Sequence, residues 1–137
     1  MKINLKIPLK PIPHQSVRMT RSGHTYQPKR ILDYKESIRT AVREQLPSGF
    51  SVIEADTLIH VTKLHYCYAF PKSFSKKKKE SGLIFKHTKP DLHDNLNKPL
   101  FDALEGLVWE RDQNVVSIND LRKYYAEEDG IILEIEC

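Results

Sequence analysis

The sequence predicts an α+β fold, a single small domain over residues 1–137 whose mixed β-sheet carries two helices packed on one face. Three features point there. Apolar residues switch between a period of two and a helical period along the chain. The stretches between strand-like runs are too short for repeated crossover units, and the chain closes on two strand-like runs separated by Asp129-Gly130, a hairpin signal. A length of 137 residues suits one core rather than two.

Taken in order, Ile3, Leu5 and Ile7 alternate with Lys2, Asn4 and Lys6 and read as a half-buried strand ending at Pro8. The segment "PLKPIPHQSVRMTRSGHTYQPKR" is too rich in proline for a helix interior, so it reads as a basic loop with a short hairpin around Ser22-Gly23. Tyr34, Ile38, Ala41, Val42 and Gln45 then fall at helical spacing, with Asp33 as N-cap and Pro47 and Gly49 beyond the end. "TLIHVTKLHYCYAF" is β-branched and aromatic, a long strand. "PKSFSKKKKESG" reads as a loop whose lysines, Lys76 to Lys79, form a solvated, mobile run or, alternatively, contact phosphates. A helix over 92–107, a strand over 114–124 and the strand "IILEIE" complete the order.

Charge divides the chain. Residues 1–89 hold 18 Lys and Arg against 6 Asp and Glu, a net of +12, whereas residues 90–137 hold 4 against 12, a net of −8. A basic portion attracts polyanions, nucleic acid foremost; an acidic portion repels them unless cations screen it. No apolar run approaches a membrane span, and "MKINLKIPLK" lacks a signal-peptide core, so a cytoplasmic protein is expected. Cys67 and Cys137 form neither a disulfide framework nor a zinc pattern, and Cys67 reads as a small core residue.

The acids concentrate in "KPDLHDNLNKPLFDALEGLVWERDQNVV". At about 100° per residue, Asp91, Asp94, Lys98 and Asp102 share one side of a helix, and Leu92, Leu96, Leu100, Ala103, Leu104 and Leu107 the other. Two readings of this front stay open. In the first, Asp91 and Asp94 cap the helix, and Lys98 forms surface ion pairs worth about a few tenths of a kcal/mol. In the second, Asp112, set just before the next strand, returns to the same front. Carboxylates converging from two elements are hard oxygen ligands for Mg²⁺ or Mn²⁺, the set that phosphodiester hydrolysis uses. Pro99 predicts a kink or a late helix start. His93 falls near the apolar side, Trp109 reads as a core or dimer-contact residue, and Glu105 and Glu110 are secondary acids near the site.

"KPDLHDNLNKPLFDALEG" followed by "DQNVV" resembles the signature of the RusA family of Holliday junction resolvases: an Asp-x-Asp-Asn-Leu-x-Lys helix start, an Asp-Ala-Leu continuation and a second acidic block. "IPLKPIPHQSVRMTRSGHTYQPKRILDYKESIR" is similar to that family's opening strand, basic loop and first helix. The resemblance implies a RusA-like fold and a Mg²⁺-dependent crossover junction endodeoxyribonuclease, with Mn²⁺ as a substitute, acting in DNA recombination and repair. It further implies a homodimer that nicks branched DNA in symmetric pairs, with no organic cofactor. Asp91, Asp94 and Asp112 would be the metal-binding catalytic acids, and Lys98 would assist. Arg18, Arg21, Lys29, Arg30, Lys76 and Lys77 are the residues expected to hold DNA. One departure stands out: both Leu92 and His93 separate Asp91 from Asp94, where the family has one residue. Either the turn before Asp94 is irregular or Asp91 plays a different part. The rival expectations are a DNA-binding module without catalysis and a nuclease of the same scaffold cutting other branched DNA.

Overall fold

The computed structural model describes residues 1–137. One mixed sheet has strand order β1 (Lys2–Ile7), β7 (Gly130–Glu136), β4 (Ile59–Ala69), with β5 (Val115–Ile118) and β6 (Leu121–Ala126) sharing the far side of β4. β7 runs antiparallel to both neighbours, whereas β5 and β6 lie parallel to β4. The register stacks Ile3, Leu5 and Ile7 beside Ile135, Leu133 and Ile131, and these beside Val61, Leu64 and Tyr66. That apolar face is covered by α1 (Lys29–Gln45) and α3 (Asn97–Leu104), through Ile31, Tyr34, Ile38 and Val42 of the first and Leu100, Ala103 and Leu104 of the second. Each such aliphatic side chain contributes about 1.5–3 kcal/mol by leaving water, which is why the two helices settle on one face, as the alternation implied.

α1 begins four residues before the expected cap. Pro28 occupies the N-cap position, and Asp33 lies inside the helix. Ile31 extends the buried stripe backwards, and packing of that stripe outweighs a local capping preference. The helix stops at Leu46, which the following Pro47 holds extended. Gln45 then bonds both backbone groups of Lys6, at 2.8 and 2.7 Å, tying α1 to edge strand β1.

Several boundaries depart from the sequence reading. The helix expected over 92–107 is a π-helical turn, Leu92–Leu96, running into α3, and it ends at Leu104. The strand expected over 114–124 is a 3₁₀ turn, Asp112–Asn114, then β5 and β6, parted at Asp120, whose φ is 48°. Asp120 accepts from His65 and Arg122, and these bonds help hold the left-handed conformation that Asp tolerates better than most residues. The turn at Asp129-Gly130 does not close a hairpin. β6 and β7 flank β4, the strand that is longest and holds the most buried residues, so the turn steps over the end of β4, where Asp129 Oδ1 accepts the Ala69 amide at 2.8 Å.

The lysine run is not a mobile loop either. Lys76–Lys79 form a helical turn, α2, capped by Ser75, with the Lys78 ammonium 4.0 Å from the Phe74 ring centre. The hairpin near Ser22-Gly23 does form, as β2 (Arg18–Met19) and β3 (Thr25–Tyr26), with Gly23 supplying φ 87°. Cys67 and Trp109 are both buried. No helix is long and apolar enough to cross a membrane.

Candidate active site

The extra residue between Asp91 and Asp94 is absorbed by the π turn. A π turn holds one residue more than an α turn, so Asn97 and all that follows keep their helical phase while Leu92–Leu96 bulge. The bulge is pinned from three sides. The Tyr66 hydroxyl donates to the Leu96 carbonyl at 3.1 Å and to Asn97 Oδ1 at 2.8 Å. The His14 amide reaches the Asn95 carbonyl at 2.6 Å, and Asn97 Nδ2 bonds the His93 carbonyl at 2.9 Å. Pro99 has no N–H to reach back to the Asn95 carbonyl four residues earlier, and that carbonyl accepts from the His14 amide instead.

α3 is followed by a tight reversal. Gly106 adopts φ 82°, and its amide bonds the Trp109 carbonyl at 2.7 Å. Trp109 packs edge-on against Phe101 and is fully buried, and Ile53 bonds the returning backbone at Val108 and Glu110, at 2.9 Å in each case. This reversal carries Asp112 back beside α3. A cleft of about 320 Å³ results, lined by His93, Asp94, Asn97, Lys98, Phe101, Asp102 and Asp112.

Within it, Asp112 Oδ1 accepts the Trp109 indole N–H at 2.7 Å, and Glu105 accepts the Asp112 amide at 3.3 Å. Burial pushes the Asp112 carboxyl up to about 6, with the Glu105 and Asp102 carboxylates adding to the rise and the indole donor opposing it. Asp102 pairs with Lys35 at 3.3 Å and with Lys98 at 3.6 Å. Asp94 is 85% exposed at the rim, its carboxylate 3.5 Å from His93 Nε2.

The cleft thus unites Asp94, Lys98 and Asp112. Asp91 does not line it; this exposed residue lies at the start of the π turn, and its charge acts on Lys123 of β6, whose ammonium donates to the Thr88 and Pro90 carbonyls at 2.6 Å. His93 lines the cleft and is exposed, contrary to the apolar placement a regular helix gave it, because the π turn rotates it outward. Glu110 is turned away to the Ala55 amide. Arg18, Arg21, Lys29, Arg30, Lys76 and Lys77 are all exposed, and none is engaged in an ion pair, so their charge is available to phosphates.

Two partners escaped the sequence reading: Lys35, and the indole that orients Asp112. The first left a trace, a lysine within the apolar stripe Ile31, Tyr34, Ile38 and Val42.

As the side chains stand, no three of the His, Cys, Asp and Glu groups converge to hold an ion. The donor chemistry nevertheless fits a hard divalent cation. Asp94 and Asp112 offer oxygens only, the Glu105 and Asp102 carboxylates add negative charge beside Asp112, and Mg²⁺ commonly takes one or two carboxylates with water and substrate phosphate for the rest.

Comparison with known proteins finds one family and one relative. The family model described as "Endodeoxyribonuclease RusA" matches residues 8–136. An uncharacterized protein, YqaN of Bacillus subtilis (strain 168), is 43% identical over 66 residues, 44% of this chain and 45% of its own length, so the chain matches less than half of that relative.

Proposed function

The chain belongs to the RusA endodeoxyribonuclease family, and on that footing we propose that it is a Mg²⁺-dependent endonuclease that resolves four-way DNA junctions in recombination and repair. The observation that carries the reading is the return of Asp112 to the face that presents Asp94 and Lys98, an acidic cleft in a chain whose first 89 residues are strongly basic.

Asp94 and Asp112 would hold the cation. Asp91, 94 and 112 are the acids proposed for catalysis, with Asp91 acting from the far side of the π turn. Held by those acids, a divalent ion would supply Lewis-acid chemistry that polarises the scissile phosphate and lowers the pKa of a water. The Trp109 indole keeps the Asp112 carboxylate aimed into the cleft, and Glu105 and Asp102 hold its negative potential. Lys98, exposed at the cleft edge, offsets charge that builds on the phosphate oxygens as the new bond forms. No protein nucleophile is required.

Arg18 and Arg21 on the hairpin, Lys29 and Arg30 in the first turn of α1, and Lys76 and Lys77 on α2 would grip the backbone of the duplex arms. A junction has approximate two-fold symmetry, so a homodimer in the cytoplasm would nick two opposed strands.

The test is cleavage of a synthetic four-way junction and a linear duplex, with and without Mg²⁺. Paired nicks in the junction alone, lost in Asp112→Asn while binding is retained, are expected. Binding with no cleavage under any metal would leave a DNA-binding module instead, and equal cutting of other branched forms would leave a nuclease of broader substrate.

A further inference from the structure

We propose that Lys35 and Asp102 act as a positioning pair that sets how firmly Lys98 is held at the cleft edge, an inference that rests on the nuclease reading above. Lys35 projects from the buried stripe of α1, and its side chain is only 10% exposed. An ammonium there is costly unless it is paired and hydrogen-bonded. It meets Asp102 Oδ2 at 3.3 Å and Gln27 Oε1 at 3.2 Å. The same carboxylate oxygen anchors Lys98 at 3.6 Å, and Lys98 is 56% exposed. One turn further along α1, Arg39 donates to the carbonyls of Ala103, at 3.0 Å, and of Asp102, at 3.4 Å. These are carbonyls that the end of α3 leaves open, so Asp102 is fixed by both its backbone and its side chain.

One carboxylate therefore serves two ammonium groups of unequal freedom. The buried one is held against it by packing and by Gln27. The exposed one is left with a weak, solvent-screened hold, enough to aim it and too little to keep it from a phosphate oxygen. Without Lys35, the whole Asp102 charge would fall on Lys98, drawing it down onto α3 and away from substrate. A purely structural tie between α1 and α3 needs only Arg39 and the apolar contacts. It does not require that the tie end on the carboxylate that Lys98 uses.

Single-turnover cleavage of a four-way junction with Mg²⁺ tests this, in wild type, Lys35→Met, Lys98→Met and the double variant, with junction binding measured in Ca²⁺. Lys35→Met should cut on the order of tenfold more slowly, a misplacement effect, at unchanged junction affinity, and the factor should vanish once Lys98 is Met. In parallel, labelling of Lys98 by an amine-reactive ester, read by peptide mass spectrometry, should slow in Lys35→Met. A wild-type rate, an equal loss in the Lys98→Met background, or unchanged labelling overturns the positioning role while leaving the nuclease reading intact. Wild-type protein that fails to cut overturns both. Should Lys35→Met lose the wild-type melting transition, Lys35→Gln, which keeps a hydrogen-bond donor and removes the charge, carries the same test, since its loss must also depend on Lys98.

Discussion

Asp112 is the residue whose titration matters most. Its carboxyl is held at about 6 in the folded chain against an ordinary 3.8, chiefly by burial. The folded state therefore binds more protons than the unfolded one between about pH 4 and pH 6, and this group makes stability fall as pH rises through that window. Asn at this position keeps an acceptor for the Trp109 indole and removes the charge. In the presence of EDTA, Asp112→Asn should melt above wild type at pH 7, with the gain shrinking to nothing near pH 4; paired melting curves check it. Because a metal ligand must be deprotonated, the acid limb of the pH–rate profile should fall near pH 6 and move to lower pH as Mg²⁺ is raised. A limb that ignores Mg²⁺ would count against Asp112 as a ligand. Trp109→Phe keeps an aromatic ring in the core, at the cost of a small cavity, but frees the carboxylate, and it should slow cleavage by about tenfold with little change in junction affinity.

At the scale of elements, the π turn decides the site. A regular α-helix would have placed His93 near the core and kept Asp91 with Asp94; the bulge turns His93 outward and leaves Asp91 facing β6. Its supports are few and the Tyr66 hydroxyl among them is buried, so a single atom is a sharp probe. Tyr66→Phe deletes the hydroxyl that donates to Leu96 and Asn97, a cost of about 0.5–1.5 kcal/mol by urea unfolding. The same change should lower the cleavage rate more than junction affinity, because it loosens Asp94 without touching the basic surface. Loss of affinity in step with rate would mean that the turn also binds DNA.

Across the whole molecule, both basic segments reach the acidic front. The N-terminal loop touches the π turn through His14, and the arm after β4 is tied down by Lys123 just before Asp91. Phosphate contacts made there release counterions, so junction affinity should fall steeply with salt. Lys76→Ala with Lys77→Ala should weaken junction and linear duplex alike and flatten the log–log salt slope by about 1 for each contact removed. Fluorescence anisotropy across a salt series measures this; an unchanged slope would remove α2 from the interface.

The chain by itself determined the sheet-and-two-helix layering, the short hairpin and a helix front bearing Asp94, Lys98 and Asp102, because periodicity, turn residues and spacing are local properties. The return of Asp112 to that front was one of two open expectations, and only the tertiary structure lines one cleft with all of them. Tertiary structure decided what locality cannot encode. It placed β4 between β6 and β7, since burial of the longest apolar strand outweighs a two-residue turn signal. It moved the start of α1 back to Lys29 through packing, and it converted one extra residue into a π turn rather than a shifted helix. Lys35 shows the limit best: in the sequence it is a lysine out of place on an apolar stripe, and only the approach of α3, 67 positions away, supplies the carboxylate that makes its burial affordable.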